Sequence, residues 1–249
     1  MGRFLKVELN TIYRKPKLYV LLSILTAAFI LGIVVNSLTH GKVDITIILI
    51  EFFHPFLVII LVSDVTHKEY KFNTMKNLIG SGFTRSQIYV GKLIVTMIVA
   101  FMFILIEKAM QIIYLLIKHD FVKKFFWKAE LIDMVRQFCM FGIIFIICML
   151  ITSDALSLLA SFGYGILLSI FLSMIGVFVP GISDIVAERI AAACLVSSGA
   201  YVKNTLSKEG LIIGKYIDKG ELVWCGVGII VALLALQGGF MLFKRKEFK

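Results

Sequence analysis

Residues 69–93 read EYKFNTMKNLIGSGFTRSQIYVGKL and form the longest polar segment on the basic side of an otherwise apolar chain. In the first half of this segment, apolar residues recur at helical spacing, with Glu69 and Lys76 on the opposite side. This pattern predicts a short amphipathic helix. The apolar face is formed by Phe72, Met75, Leu78 and Ile79.

The second half of the segment carries signals for a helix end and a new helix start. Gly80 and Gly82 flank a serine and predict the end, because glycine accepts the left-handed conformation found at helix C-termini. Thr84 and Gln87 have the spacing of a capping box just before an apolar run. The short helix could rest in a groove on another protein or lie on the lipid surface, and both alternatives remain open.

The composition predicts an all-α membrane protein. The chain is 59% hydrophobic and 17% charged, whereas soluble domains are roughly 45–50% apolar and about 25% charged. The apolar residues fall in continuous blocks, and a membrane-spanning helix needs about 20 such residues. We predict one transmembrane domain over residues 1–249. Its six expected spans cover residues 18–38, 45–62, 88–107, 134–152, 155–179 and 222–243.

The distribution of lysine and arginine predicts the orientation. Basic residues precede span one, lie between spans two and three, and follow span six, whereas the loop after span one has only Lys42. By the positive-inside rule, both termini are cytoplasmic. Four lysines between spans three and four depart from the rule, but two basic ends still require an even number of crossings. The net charge of +10 fits an anionic inner leaflet and does not indicate a nucleic-acid site.

Two further segments are expected to lie at the membrane surface. Residues 1–15 are interfacial in character, and Pro16 marks a break before span one; a plain cytoplasmic tail is the alternative. Residues 182–202 contain three charged side chains and leave only about a dozen apolar residues, too few to cross a bilayer. We interpret this second segment as a re-entrant or interfacial half-helix between spans five and six.

Span five carries small residues at every fourth position. Such a ridge allows a second helix to approach closely, either within the chain or from another chain. The ridge consists of Ser157, Ser161, Gly165, Ser169 and Ser173. Asp154 precedes this ridge and is expected to be the N-cap of span five.

Charged residues inside the predicted spans are candidates for function. Glu51 and His54 lie three residues apart, before Pro55, and therefore share a helix face. Because an intramembrane acid is costly, it usually faces a cavity or a partner. The two residues either belong to a translocation path or simply satisfy each other. Glu107 and Lys108 are expected to mark the outer end of span three.

Motifs of several enzyme classes are missing from the sequence. It has no HExxH zinc motif, no GxSxG nucleophile elbow and no GxxxxGK[ST] phosphate loop. We therefore expect neither enzymatic activity nor ATP hydrolysis by this chain. The four cysteines are dispersed without metal-ligand spacing, so no metal site is predicted. A GYG sequence at residues 163–165 lies inside an apolar run, which disfavours a potassium channel.

The arrangement resembles the type-2 ABC exporter permeases. The local match begins at Glu69, continues through TMKNLI at 74–79 and SGFTRSQIY at 81–89, and ends at Gly91 and Lys92. It is similar to the family's acid, TxKNLL-like helix, Ser/Thr-Arg turn and Gly/Ser-Lys entry into span three. The architecture covers essentially the whole chain, and the motif covers about 25 residues. The chain departs from the pattern at Gly82 and Phe83, where a proline is common.

The resemblance implies a mechanism and its partners. Two copies of a separate ABC ATPase, carrying ATP and Mg²⁺, would drive a pair of permease chains that export an amphipathic peptide, drug or lipid. The small ridge of span five would lie near the permease dimer contact. A bacterial plasma membrane is implied, since the chain is similar to permeases of bacteriocin and lantibiotic immunity or export. The resemblance assigns coupling to the ATPase to Phe72, Met75, Lys76, Leu78, Ile79 and Arg85.

Two other functions remain open at this point. A non-transporting scaffold or sensor subunit could bind a cytoplasmic partner through residues 69–92. A channel would conduct ions or small solutes without ATP.

Overall fold

The structure, a computed structural model, is helical throughout the residues it describes. The described residues are 2–38, 45–71, 75–118, 127–164 and 219–245. In chain order the helices are α1 (Gly2–Tyr13), α2 (Pro16–Leu38), α3 (Ile45–Lys71), α4 (Met75–Gly80), α5 (Arg85–Ile117), α6 (Trp127–Leu150), α7 (Asp154–Phe162) and α8 (Lys219–Arg245).

Five of the described helices, α2, α3, α5, α6 and α8, are long and apolar enough to cross a membrane. They correspond to five of the six predicted spans. The remaining span, predicted for 155–179, begins in α7, and its continuation lies outside the described residues. The half-helix predicted at 182–202 also lies outside them.

Two helices extend well past the predicted spans. α5 has 33 residues, about 50 Å at 1.5 Å per residue, whereas the prediction ended at residue 107. α3 continues to Lys71 and passes through Pro55 without ending. An apolar run marks the part of a helix that suits hydrocarbon, and the helix itself can be longer.

The turn between α4 and α5 forms as its residues predict. α4 ends at Gly80, and Gly82 has a φ of +91°, which favours glycine. The Thr84 side chain accepts a hydrogen bond from the Gln87 backbone N–H, and the Gln87 side chain accepts one from the Thr84 N–H. The predicted capping box is confirmed, and it fixes the direction in which α5 leaves the turn.

The centre of the fold is α3, which packs against α2, α5, α6 and α7. α8 packs on α5 and α6, and α1 packs on α5. Close approach between α2 and α3 depends on Gly32, because a Cβ there would lie 2.6 Å from the Thr46 Cα. Near the same end, the Asn36 amide donates a hydrogen bond to the Tyr114 hydroxyl of α5.

The break predicted at Pro16 is confirmed, since α1 ends at Tyr13 and α2 begins at the proline. The face of α1 that packs on the bundle contains an acid as well as apolar residues. The buried residues are Phe4, Glu8 and Ile12, whereas Tyr13 is exposed. This face follows the i, i+4 spacing of a helix, and it includes an acid because that acid has a buried partner on α5.

Candidate functional site

Helix α4 lies between α3 and α5 in the chain, and one side of it packs against the hydrophobic core. Leu78 and Ile79 are half-buried against the hydrophobic core. Asn77, Gly80 and Ser81 are exposed. Leu78 and Ile79, which were predicted to contact an ATPase, therefore pack against the rest of this chain. The exposed surface of α4 lies on its other side. Phe72 and the side chains of Met75 and Lys76 lie outside the described residues.

Arg85, also predicted as a coupling residue, contacts the last turn of α8. Its Nη1 donates a hydrogen bond to the Lys244 carbonyl at 2.9 Å. In the same turn, the Phe83 ring lies 5.4 Å from the Phe4 ring of α1, measured between centroids. The turn that follows α4 is therefore attached to both terminal helices of the described chain.

A buried ion pair fastens α1 to α5 and α3. The Lys92 side chain is 0% exposed, and its Nζ lies 3.2 Å from the Glu8 Oε2. The same ammonium donates a hydrogen bond to the Val65 carbonyl at 2.9 Å. Sequence reasoning quoted Lys92 only as part of a motif and missed Glu8. The available signal was an acid on the apolar Phe4–Ile12 stripe, which implies a basic partner.

A second ionic contact lies beside this pair. Asp64 of α3 binds Lys15 and Lys17, which flank the start of α2, and the Lys17 Nζ lies 3.1 Å from the Asp64 Oδ1. These side chains are partly exposed, so the contact contributes little by itself. Together with the Lys92 pair, it connects α3 to the beginnings of α1, α2 and α5.

His67 connects α3 to the start of span five. Its Nε2 lies 2.7 Å from the Ile151 carbonyl, in the connection between α6 and α7. Its Nδ1 lies 3.5 Å from both the Ser157 hydroxyl and the Asp154 Oδ1. The prediction that Asp154 is an N-cap was wrong, because Ser153 occupies that position and Asp154 is the first helical residue.

The first two residues of the predicted small ridge face their own chain. Ser157 and Ser161 are both 0% exposed. Ser157 lies next to the histidine on α3, and the Ser161 hydroxyl lies 3.4 Å from the Cys148 sulfur on α6. Gly165, Ser169 and Ser173 lie outside the described residues.

His54 pairs with an acid that the sequence analysis had assigned elsewhere. The His54 Nδ1 lies 2.9 Å from the Glu107 Oε2, and both side chains are almost completely buried. The Gln111 amide donates a hydrogen bond to the other carboxylate oxygen at 3.2 Å. Glu107 therefore faces the inside of the bundle, and its position at the outer end of span three stays a prediction. The Glu51 side chain lies outside the described residues.

The same cluster contains a buried lysine with several acidic partners. The Lys108 Nζ lies 2.7 Å from Glu130, 2.9 Å from Asp133 and 3.6 Å from Glu107. Arg136 is paired with Asp133 as well. These partners lie near the start of α6 and keep the Lys108 side chain buried against that helix. The cluster joins α3, α5 and α6 through charges in apolar surroundings.

The chemistry of these sites is ionic and structural. Within the described ranges, no group of three or more His, Cys, Asp or Glu residues is arranged to hold a metal ion. Cys139 and Cys148 are free thiols. The polar contacts occur at helix junctions, where they fix the relative positions of helices and hold charge inside the bundle.

The described fold defines a multi-pass helical membrane protein with a short helix exposed between two of its spans. A model of the family described as ABC-2 family transporter protein matches residues 4–180. This match covers most of the chain, and the chain belongs to the ABC-2 family of transporter proteins. A search of curated proteins and a search of solved structures each found no match.

Membership in this family defines the general role of the chain. It is a permease subunit of an ABC transporter, which is a transport component and not itself a catalytic enzyme. The family also implies an ATPase as the partner that supplies energy.

Proposed function

We propose that this permease moves an amphipathic substrate outward across a bacterial plasma membrane, with both of its termini in the cytoplasm. Energy comes from two copies of a separate ABC ATPase, and a second permease chain completes the transporter. The substrate is a peptide such as a bacteriocin, a drug or a lipid. The observation that carries the proposal is α4, a short helix with an exposed surface between the basic ends of α3 and α5.

The position of α4 supports a role in receiving motion from the ATPase. Only three residues, 72–74, separate it from α3, and the capped turn at 81–84 joins it to α5. Since these helices form much of the core, a displacement of α4 reaches the centre of the bundle. Leu78 and Ile79 hold α4 from within, and Asn77 and Gly80 lie on its exposed surface.

The remaining coupling residues of the proposal lie close to this surface along the chain. Met75 and Lys76 belong to α4, and Phe72 lies three positions before its first residue. Arg85 fixes the following turn against the end of α8. We assign docking of the ATPase to the exposed side of α4. Arg85 and the ion pair between Lys92 and Glu8 keep the adjoining turn and helices rigid.

The intramembrane charges supply a candidate translocation path. We propose that Glu51 and His54 face the path when the transporter opens, and that Glu107 shares this role as the partner of His54. A buried acid–histidine pair favours polar or cationic groups of an amphipathic substrate over purely apolar ones. The dimer contact is proposed for the ridge of span five, beyond the two serines that face their own chain, at Gly165, Ser169 and Ser173.

Gly80 offers a test of docking that spares the fold of the permease. A Cβ at this position meets no atom within 4 Å, so Gly80→Trp adds a large side chain only to the exposed surface of α4. We expect this variant to lose co-purification of the ATPase, whereas Gly80→Ala keeps it. Thermal unfolding of both permease variants should match that of the natural chain. Full retention of bound ATPase by Gly80→Trp would contradict the docking assignment.

Reconstitution separates the exporter from the scaffold or sensor alternative. Permease and ATPase are placed together in lipid vesicles with a fluorescent amphipathic peptide and ATP. An exporter moves the peptide across the bilayer in an ATP-dependent manner, and Gly80→Trp abolishes this movement. A complex that binds the ATPase but moves none of the tested peptides, drugs or lipids supports the scaffold.

A further inference from the structure

We propose that His67 is a positioning residue that makes the inner end of α3 and the start of span five move together when α4 is displaced. The inference rests on the proposed docking of an ATPase at α4. It adds a route by which a displacement of α4 reaches α7, although the two helices are not consecutive in the chain.

The first step is the place of His67 in the chain. It lies four residues before the end of α3, and only three residues separate that end from α4. Its side chain is 2% exposed. A displacement of α4 therefore acts on the turn of α3 that carries His67, before it reaches the rest of the helix.

The second step is the bond made by Nε2. Its partner, the Ile151 carbonyl at 2.7 Å, belongs to the three-residue connection 151–153 between α6 and α7. Since a carbonyl only accepts hydrogen bonds, Nε2 carries the hydrogen. Carbonyls at a helix C-terminus need partners from outside their helix. The imidazole supplies such a partner and so attaches α3 to the point where the chain enters α7.

The third step is the environment of Nδ1, which holds the ring in this orientation. The Ser63 hydroxyl and the Thr66 hydroxyl each lie 3.4 Å away, on the same helix. From α7, the Ser157 hydroxyl and the Asp154 carboxylate each lie 3.5 Å away. The Ser63 carbonyl lies nearest to Nδ1, at 3.2 Å. The ring is therefore held between polar groups of α3 and polar groups of α7.

Small residues alone would not give this attachment. Ser157 and Ser161 let α7 pack closely against its neighbours, but small side chains also allow one helix to slide along another. The bond from His67 to the Ile151 carbonyl is directional, and a sliding movement of α7 along α3 breaks it. The histidine thus fixes the register of two helices that packing brings together.

A catalytic role for the same residues does not fit the geometry. A serine, a histidine and an aspartate meet here, but Ser157 and Asp154 both approach Nδ1. In a nucleophilic triad the serine and the acid contact opposite ring nitrogens. Since the other nitrogen of His67 binds a carbonyl, the arrangement positions helices and does not activate a hydroxyl.

Two amide substitutions separate the contacts of the two ring nitrogens. His67→Gln places an amide nitrogen near the position of Nε2 and retains a donor for the Ile151 carbonyl. His67→Asn places it near Nδ1 and loses that bond. Both variants keep a polar side chain in the pocket, so each is compatible with folding. Thermal unfolding of the purified permease checks that the two are equally stable.

The readout is the distance between spin labels on exposed positions in the complete complex with its ATPase. One pair joins Ser81→Cys, in the turn that directly follows α4, to Leu159→Cys on α7 and gives the α4–α7 distance. The reference pair joins Ser81→Cys to Leu234→Cys on α8. Each labelled permease must retain its bound ATPase. Distances are compared without nucleotide and after trapping with ATP and vanadate. The background replaces the natural cysteines by alanine and must retain transport. These are Cys139, Cys148, Cys194 and Cys225.

We expect the α4–α7 distance to stay constant in the natural chain and in His67→Gln, while the reference distance changes with nucleotide. In His67→Asn the α4–α7 distance should change with nucleotide. Peptide transported per ATP hydrolysed should then fall about tenfold, the factor that corresponds to one hydrogen bond of ordinary strength.

A constant α4–α7 distance in His67→Asn with unchanged transport per ATP overturns the inference and leaves the docking proposal intact. The same holds if His67→Gln uncouples the two helices and His67→Asn does not. If the reference distance does not change with nucleotide in the natural chain, the docking proposal is refuted, and this inference is refuted with it.

Discussion

Replacing Lys92 by methionine removes the buried charge that holds α1 on the bundle. Methionine keeps an unbranched side chain of similar length, so the change acts mainly on the ammonium group. The Glu8 carboxylate, buried on the packed face of α1, loses its partner at 3.2 Å. The Val65 carbonyl loses its donor at 2.9 Å.

The size of the effect follows from the distance and the burial. At 3.2 Å, two unit charges attract by about 5 kcal/mol with an effective dielectric constant near 20. The cost of removing both ions from water offsets much of this attraction, so the intact pair contributes little net stability. Removal of one partner is different, because the desolvated Glu8 remains. We expect Lys92→Met to destabilise the protein by about 3–5 kcal/mol.

The assay is a double-mutant cycle on the purified permease. Thermal unfolding in detergent is measured for Lys92→Met, for Glu8→Gln and for the double variant. The lysine variant should unfold about 10 °C below the natural chain, taking roughly 2–4 °C per kcal/mol for a chain of this size. The double variant should recover about 2 kcal/mol of the loss, because it leaves no unpaired buried charge.

Labelling of α1 gives a local readout of the same substitution. Ile12→Cys places a thiol at a position that is 3% exposed in the natural chain. This thiol should react slowly when α1 is packed and faster when Lys92→Met releases the helix. The reasoning is refuted if the double variant is destabilised by the full sum of the single variants, or if labelling at position 12 is unchanged.

Two further substitutions test the packing and the charge cluster. Gly239→Ala places a Cβ 2.7 Å from the Ile146 Cγ2 and should lower stability by about 1–3 kcal/mol. Gly238→Ala, whose Cβ meets no atom within 4 Å, is the matched control in thermal unfolding. Lys108→Met removes a cation shared by three carboxylates and should destabilise by about 3 kcal/mol or more. An unchanged unfolding temperature for Lys108→Met contradicts this account of the cluster.

Signals contained within a few residues predicted the structure well. The break at Pro16, the glycine turn at Gly82 and the capping box at Thr84 each depend on the backbone preferences of adjacent residues. Five of the predicted spans correspond to described helices because continuous apolar runs mark membrane helices clearly. Their ends were less predictable, since α3 and α5 continue as helices beyond the predicted spans.

The polar contacts of the candidate site could not be predicted from the sequence, because their partners are far apart along the chain. Lys92 and Glu8 are 84 positions apart, as are His67 and Ile151. A single sequence shows that a buried lysine or histidine needs a partner, and it does not show which one. His54 was therefore considered with Glu51, its neighbour on one helix face, although in the structure it also contacts an acid on α5.

The distribution of these contacts indicates which helices move as one unit. Buried polar contacts join α5 to both of its neighbours. His54 of α3 pairs with Glu107, the Lys92 ammonium donates to the Val65 carbonyl of α3, and Lys108 pairs with Asp133 of α6. Breaking a buried ion pair costs about 3–5 kcal/mol. A displacement starting at α4 therefore carries these three helices together more readily than it separates them. α2 and α8 differ, since only 28% and 22% of their apolar windows are buried, against 50–56% for α3, α5 and α6. Among the five candidate membrane helices of the described chain, α2 and α8 thus offer the largest share of apolar surface to lipid, while the polar contacts hold α3, α5 and α6 together.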